Sequence, residues 1–416
     1  MNDKHIGDPI RLAYVVSHPI QYQAPLLRRI AAEPGIDLTV FFSSDFSVRA
    51  YKDAGFGTEL KWDVDLLSGY KHEFLPRTRD TSAPTPTRPI NYGIFRRLRQ
   101  GNFDAVWVHG YATVNSLHAM LAAKALGLPV LLRAESWLGD RPRTERTLVF
   151  KKLYLKFVRS LVDATLAIGT HNRQYWQKYF GQHFPIFLVP YAVDNQYFQQ
   201  RAQAAAPRRN ELCAELNIDP ARPVILFASK LQKRKHCDHL LEAYLRMRPA
   251  EGGDPHPYLV IVGDGEQRKL LEERVRESGC TSVRFAGFRN QSELPRFFDL
   301  ASVFVLPSRH EPWGLIVNEA MNAARAVIVT DEVGSAADLV RDGETGFIYH
   351  ATDIDGLHAA LQRALENPEI TREIGQRALA RVSQWDFEAD VRGLNEALRY
   401  VTGRSTGPSN PHSENA

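Results

Sequence analysis

The sequence is short of several features that would settle a function at once. Cysteine is scarce: Cys213, Cys237 and Cys280 are three in 416 residues, widely spaced and without a C-x-x-C pair. An odd set of that kind frames neither a disulfide scaffold nor a zinc finger and fits a reducing compartment. No apolar run approaches the ~18 residues of a spanning helix and Met1 to Asp8 is polar, so neither insertion nor export is expected and the cytosol is the expected location. Charge of one sign is lacking too. The net +4 from 52 Lys/Arg and 48 Asp/Glu is too small for a dedicated nucleic-acid binder, which must neutralise many phosphates. The nicotinamide fingerprint G-x-G-x-x-G is missing.

What is present is long and regular. A chain of 416 residues, 44% hydrophobic and 24% charged, is an ordinary globular composition with room for two domains. Residues 1–200 carry 25 Lys/Arg against 17 Asp/Glu, and residues 201–416 carry 27 against 31. The basic front half suits contact with something anionic, such as a phosphorylated acceptor or the inner face of a membrane. Lys151–Arg159, apolar and basic by turns, is the candidate for peripheral membrane contact.

Short apolar runs alternate with amphipathic stretches. Leu12–Ser17, Asp37–Phe42, Ala105–Val108, Val130–Arg133, Ala164–Ile168 and Phe187–Val189 read as strands in the front half. Val224–Ala228, Tyr258–Val262, Val283–Phe285, Val303–Leu306, Val327–Thr330 and Gly346–Tyr349 do so in the back half. Helical patterns at Asp238–Met247, Gln267–Ser278 and Leu315–Ala324 separate the later ones. Such alternation predicts the α/β class, two doubly wound, Rossmann-like domains with parallel sheets and a ligand cleft at the strands' carboxyl ends. The expected division is residues 1–200, a polar Ala/Pro/Arg-rich linker at 201–223, residues 224–384, a last helix at 385–401 packing back on the first domain, and a tail at 402–416 too polar to fold.

Three segments carry chemistry. In the run from Pro307 to Ala320, Glu311 and Glu319 stand eight apart across a strand-to-helix turn, and Gly314 lets a ligand approach helix amides suited to phosphate. Lys230, Lys233, Arg234 and Lys235 crowd a loop after a strand, an electropositive pocket for a diphosphate. Gly263-Asp-Gly265 ends another strand, close enough to lie against a base or ribose. Asp63-Val-Asp65 and Asp353-Ile-Asp355 spell the D-x-D of metal-dependent transferases, yet neither follows a buried strand, and no obligatory metal is expected.

As a set, Ser229–Lys235, Gly263–Gly265, Val283–Phe288, Leu306–Ser308, Glu311 to Glu319 and Asp338–Phe347 resemble, in order and spacing, the donor domain of retaining glycosyltransferase family 4, the glycosyl transferases group 1. The likeness spans about residues 185–385, and Tyr191-Ala-Val-Asp194 is similar to that family's interdomain segment. It implies a GT-B architecture of two facing domains and a nucleoside-diphosphate-sugar co-substrate, UDP- or GDP-linked, with no obligatory cofactor. It implies that Lys230 and Lys235 hold the diphosphate, Glu311 meets the transferred sugar, the amides of Gly314 and Leu315 serve sugar and phosphate, and Glu319 holds the ribose. Gly263, Gly287 and Phe288 would border the base.

The front half resembles a bacterial subgroup of the family at Ser17–Leu26 and from Asp53 to Asp63, which points to cell-envelope polysaccharide synthesis. His18, Gln21, Tyr22, His109 and Glu135 are its candidate acceptor-side or catalytic residues, and the acceptor is expected to be a saccharide, a lipid-linked glycan or a small glycoconjugate. Two other readings remain at this level: a sugar-nucleotide epimerase or hydrolase of the same fold, and a non-catalytic nucleotide-sugar-binding protein. A requirement for a second substrate separates the first from transfer, and turnover lost in Glu311→Ala separates the second.

Overall fold

A computed structural model describes residues 8–52, 55, 59–78, 84–139, 143–248, 254 and 256–404. Among the described residues fifteen strands follow one another. The first nine are β1 (Ile10–Val16), β2 (Ile36–Phe42), β3 (Tyr51–Lys52), β4 (Glu59–Leu60), β5 (Lys71–Phe74), β6 (Ala105–His109), β7 (Val130–Arg133), β8 (Ala164–Ala167) and β9 (Ile186–Leu188). The other six are β10 (Val224–Ala228), β11 (Tyr258–Val262), β12 (Val283–Gly287), β13 (Val303–Leu306), β14 (Ala326–Thr330) and β15 (Phe347–Tyr349). One sheet runs β5-β2-β1-β6-β7-β8-β9 and the other β12-β11-β10-β13-β14-β15, while β3 and β4 form a small hairpin. Every pairing within the two large sheets is parallel.

The near-continuous apolar strands follow from burial on both faces. Side chains alternate between two cores at the two-residue period of a strand. In the first sheet Ala13, Val15, Val106, Val108 and Leu132 point to one core, and Leu12, Tyr14, Val16, Trp107 and Leu131 to the other. The second sheet repeats this, with Ile225, Phe227, Leu259 and Ile261 on one side and Leu226, Ala228, Val260 and Val262 on the other. The strand β5, sequence KHEF, has no counterpart among the expected strands. It sits at the sheet edge with Lys71 and His72 exposed, so its composition carries no apolar run.

Residues 201–223 differ from the expected polar linker. The chain leaves the first sheet after Leu188, and Asn195–Ala205 and Arg209–Leu216 are helices joined by a short 3-10 turn. Phe198, Ala202, Leu212, Cys213 and Leu216 are buried in the second domain's core. Their helical spacing is diluted by exposed Ala, Gln and Arg, which are good helix formers, so average polarity concealed an amphipathic pair.

The last helix, Phe387–Thr402, crosses back to the first domain and buries Val391, Leu394, Ala397 and Leu398 in the core beneath the first sheet. Arg133 at the end of β7 is 1% exposed. Its guanidinium donates to the carbonyls of Val189 and Pro190 and, at 3.1 Å, to the fully buried Asp390 of this helix. The expected tail lies outside the described residues from 405 onward.

Candidate functional site

Carboxyl ends of strands from both sheets face a cleft of about 310 Å³. Gln21, Tyr22 and Trp62 line it from the first domain, and Lys230, Arg234, Lys235, Glu311, Leu315 and Glu319 from the second. The domains touch around it: Thr170 donates from its amide and hydroxyl to Asp338 at 2.9 and 2.7 Å, His310 Nδ1 donates to the Gly139 carbonyl at 2.7 Å, and Asn290 Nδ2 donates to the Lys61 carbonyl at 2.8 Å.

The loop after β10 closes through the 3-10 turn Lys233–Lys235, which turns the Lys235 side chain inward, where it is 7% exposed. Lys235 Nζ donates to Glu311 Oε2, and Arg234 Nη1 donates to the same oxygen at 3.1 Å. Burial pushes the Glu311 carboxyl up, but the Lys235 and Arg234 cations outweigh it and hold the group below its usual range. Burial lowers Lys235 in turn, with the Glu311 charge opposing. Glu311 is therefore an ionised carboxylate clasped by two cations. Lys230 packs against Gly55 of the first domain: a Cβ added at Gly55 would meet its Cδ at 2.8 Å.

Gly314 caps the helix Leu315–Asn322 with φ +86°, a left-handed position that suits glycine. That helix carries Glu319 inward to 8% exposure. Oε2 of Glu319 has no hydrogen-bond partner among the described residues, and burial raises its carboxyl to about 8. Two carboxylates thus share one cleft in opposite states, Glu311 neutralised by cations and Glu319 without one. Gly263 ends β11 with φ +135°, and a Cβ there would fall 2.0 Å from the Ser229 carbonyl oxygen, so only glycine lets these strand ends approach. Its amide donates to the Gly287 carbonyl at 2.8 Å, which sets Phe288 at the cleft wall.

The first domain's candidates divide. Gln21 and Tyr22 line the cleft, whereas His18, His109 and Glu135 lie behind it. The Tyr22 hydroxyl donates to Glu135 Oε1 at 2.8 Å and the Tyr191 hydroxyl to the same atom at 2.5 Å, so Glu135 is held by two phenols. Burial, then the Glu135 charge, raises both phenols well above their ordinary range. His109 Nδ1 is 3.1 Å from the Tyr14 hydroxyl, and burial with the Arg133 cation lowers it to about 3. His18 Nδ1 bonds Ser17 Oγ at 2.8 Å, and burial lowers it to about 4. Both imidazoles are neutral at neutral pH.

The two D-x-D pairs are occupied elsewhere. Asp63 accepts from the Ser292 amide at 3.3 Å and Asp65 from the amides of Leu67 and Ser68, while Asp353 caps a helix through Gly356 and Asp355 pairs with Arg246. Of the Asp53–Gly57 segment only Gly55 falls within the described residues. Arg234 and Trp62 line the cleft beyond the expected site residues, Arg234 from the basic run after β10 and Trp62 from the segment between Asp53 and Asp63. Trp313 lies not in the cleft but in the core, stacked on Trp385 at 5.6 Å.

Comparison with known proteins follows the same division. Residues 208–381 match the family model described as glycosyl transferases group 1. An alpha-D-kanosaminyltransferase from Streptomyces kanamyceticus is 28% identical over 194 residues, 46% of this chain and 48% of that one, so the chain spans about half the length of that relative. Among solved structures, sucrose-phosphate synthase from Thermosynechococcus elongatus superposes with TM-score 0.68 at 19% identity, covering 95% of this chain and 99% of that one. Anabaena Alr3699/HepE, solved in complex with UDP-glucose, gives 0.67 at 18% identity over 94% and 100%.

Proposed function

We propose that the protein, whose residues 208–381 match the family model of glycosyl transferases group 1 and whose two facing parallel-sheet domains have the GT-B architecture, moves a sugar from a nucleoside-diphosphate sugar to a hydroxyl acceptor with retention of configuration. The observation that carries this reading is the pairing of a cation-clasped Glu311 with a buried Glu319 whose Oε2 has no partner among the described residues, in one cleft. A ligand with hydroxyls at both ends and a diphosphate between them meets all three demands.

Lys230, Lys235 and Arg234 with the amides of Gly314 and Leu315 face the diphosphate and stabilise the charge that develops as the anomeric C–O bond breaks. Glu311 accepts hydroxyls of the transferred sugar, and Glu319 accepts from the ribose, which supplies the donors it lacks. Gly263, Gly287 and Phe288 flank the base. The acceptor oxygen forms the new bond on the face the diphosphate leaves, and its proton passes to the departing phosphate oxygen. Lysine and arginine supply the positive charge that a divalent ion would bring, and the D-x-D carboxylates are engaged in turns and ion pairs, which supports a metal-independent reaction. Tyr22 and Gln21 contact the acceptor, with Glu135 behind them as a positioning residue, and neutral His109 and His18 serve as hydrogen-bonding groups.

UDP is the first nucleotide to try, since it is bound by the Anabaena neighbour. A panel of UDP- and GDP-sugars, scored first by thermal shift and then by transfer to saccharide and lipid-linked acceptors, tests the reading, because a ligand that binds only the native state raises its melting point. A stabilising donor turned over only with acceptor supports it. Stabilisation by no nucleotide sugar, or turnover independent of acceptor, overturns it.

The same reading extends to the cytosolic face of a membrane. No helix among the described residues is long and apolar enough to cross one. The helix Glu145–Ser160, however, leaves Val149, Phe150 and Leu153 at 58, 72 and 60% exposure among Lys151, Lys152 and Lys156, the pattern of a segment that lies on an anionic surface.

A further inference from the structure

His236, Asp238 and His239 form a group that the cleft does not use. His236 ends the 3-10 turn Lys233–Lys235 and opens the helix Cys237–Leu245 with φ +49°. Asp238 and His239 follow in the helix's first turn. One ligating atom from each side chain can be chosen so that all three lie within 4.8 Å of one another, and the two imidazole rings are 4.2 Å apart between centroids. His236 Nδ1 and Asp238 Oδ1 are buried without a hydrogen-bond partner among the described residues, 4.0 Å from each other. None of the three lines the cleft.

Two buried polar atoms left facing each other without partners cost stability unless something satisfies both. The geometry points to a divalent transition-metal site of the zinc type at His236, Asp238 and His239. Two imidazoles and one carboxylate are a donor set that suits Zn²⁺, with water as the fourth ligand. Ligands at about 2.0–2.2 Å from a tetrahedral centre lie about 3.3–3.6 Å apart, so from their present separations of up to 4.8 Å the three side chains need draw together by only about 1 Å to share an ion. The side chains of His236 and Asp238 are 14 and 23% exposed, which leaves an entry path. Arg309 and Glu332, the charges that reach His236 from other elements, pair with each other at 3.4 Å, so the trio keeps the single negative charge of Asp238. A metal here bridges the end of the cationic loop to the start of its following helix and holds the turn that presents Lys235. Its work is structural: it orders the loop and touches no reacting atom.

The test uses the full chain, stripped with chelator and titrated with Zn²⁺ against a chromogenic competitor. Wild type takes up one Zn²⁺ per chain, and His239→Ala and Asp238→Asn each weaken that binding by at least about tenfold. Circular dichroism and the melting midpoint in chelator establish that the variants fold, and Zn²⁺ raises the midpoint of wild type alone. Uptake well below one equivalent, or equal affinity in wild type and both variants, overturns the proposal. Should a variant fail to fold, Co²⁺ on wild type decides: intense visible d–d bands of tetrahedral Co²⁺ support the site, and a weak octahedral spectrum overturns it.

Discussion

Arg133 and Asp390 stand 257 positions apart in the chain and meet at 3.1 Å inside the first domain, both essentially without solvent. Their contact joins the end of a central strand to the last helix. Burial raises the Asp390 carboxyl to about 7, with Arg133 opposing. Asp390→Ala leaves a buried guanidinium without its counter-charge and is expected to lower stability by about 3–5 kcal/mol, as removal of one partner from a buried pair does. Replacing both, as Arg133→Met with Asp390→Leu, is expected to recover much of that loss. Denaturant unfolding measures both; a single-variant loss below about 1 kcal/mol counts against the clamp.

Lys235→Ala is expected to weaken binding of the donor nucleotide by about 1.5–3 kcal/mol, the worth of one charge-assisted hydrogen bond. Isothermal calorimetry with the stabilising nucleotide gives the value directly. Unchanged affinity removes Lys235 from diphosphate binding and leaves it a partner of Glu311 only.

Glu319 makes stability depend on pH. Its carboxyl titrates near 8 in the folded protein, against an ordinary value of 4.5. The folded state therefore holds more protons across that window, so Glu319's contribution falls as pH rises from about 4.5 to 8 and levels off above. Glu319→Gln is expected to flatten this part of the melting-point curve. Hydroxyl donors from a ribose favour the ionised form, so nucleotide binding at pH 7 releases protons, seen as a calorimetric enthalpy that varies with the buffer's ionisation heat. Buffer-independent enthalpy argues against a ribose at Glu319.

His109 and His18 are pushed to about 3 and 4 and stay neutral through physiological pH. The kcat–pH profile is expected to lack an inflection near the ordinary histidine value of about 6.5. An inflection there that disappears in His109→Asn or His18→Asn would show that a histidine ionises during turnover.

Phe150→Ser with Leu153→Ser is expected to abolish co-flotation with anionic liposomes at low salt while leaving transfer to a water-soluble acceptor intact. Wild type that stays in the dense fraction would make the exposed apolar face irrelevant to membranes.

Much of the architecture was legible because parallel strands buried on both faces must be nearly all apolar. Val224–Ala228, Tyr258–Val262 and Val303–Leu306 coincide with strands residue for residue. The edge strand Lys71–Phe74 carries no such run and went unread, and the amphipathic helices within 195–216 were hidden by their Ala- and Arg-rich exposed faces. In the cleft, the candidates Lys235, Glu311, Gly314 and Glu319 are local to strand ends, where motif spacing sets position. What could not be read is pairing and burial across distant segments: two tyrosines on Glu135, Arg133 on Asp390, and the burial that, aided by the Arg133 cation of a neighbouring strand, keeps His109 neutral.

The return of the helix Phe387–Thr402 to the first sheet sets a timetable for synthesis. The apolar underside formed by Leu131, Leu166 and Val189 has no complete cover until that helix leaves the ribosome, long after Leu188 has emerged. At roughly 5–20 residues per second the wait is on the order of ten to forty seconds. The second domain can fold during that interval, while the first waits for its last piece, a window in which a chaperone would find its binding surface on the nascent chain.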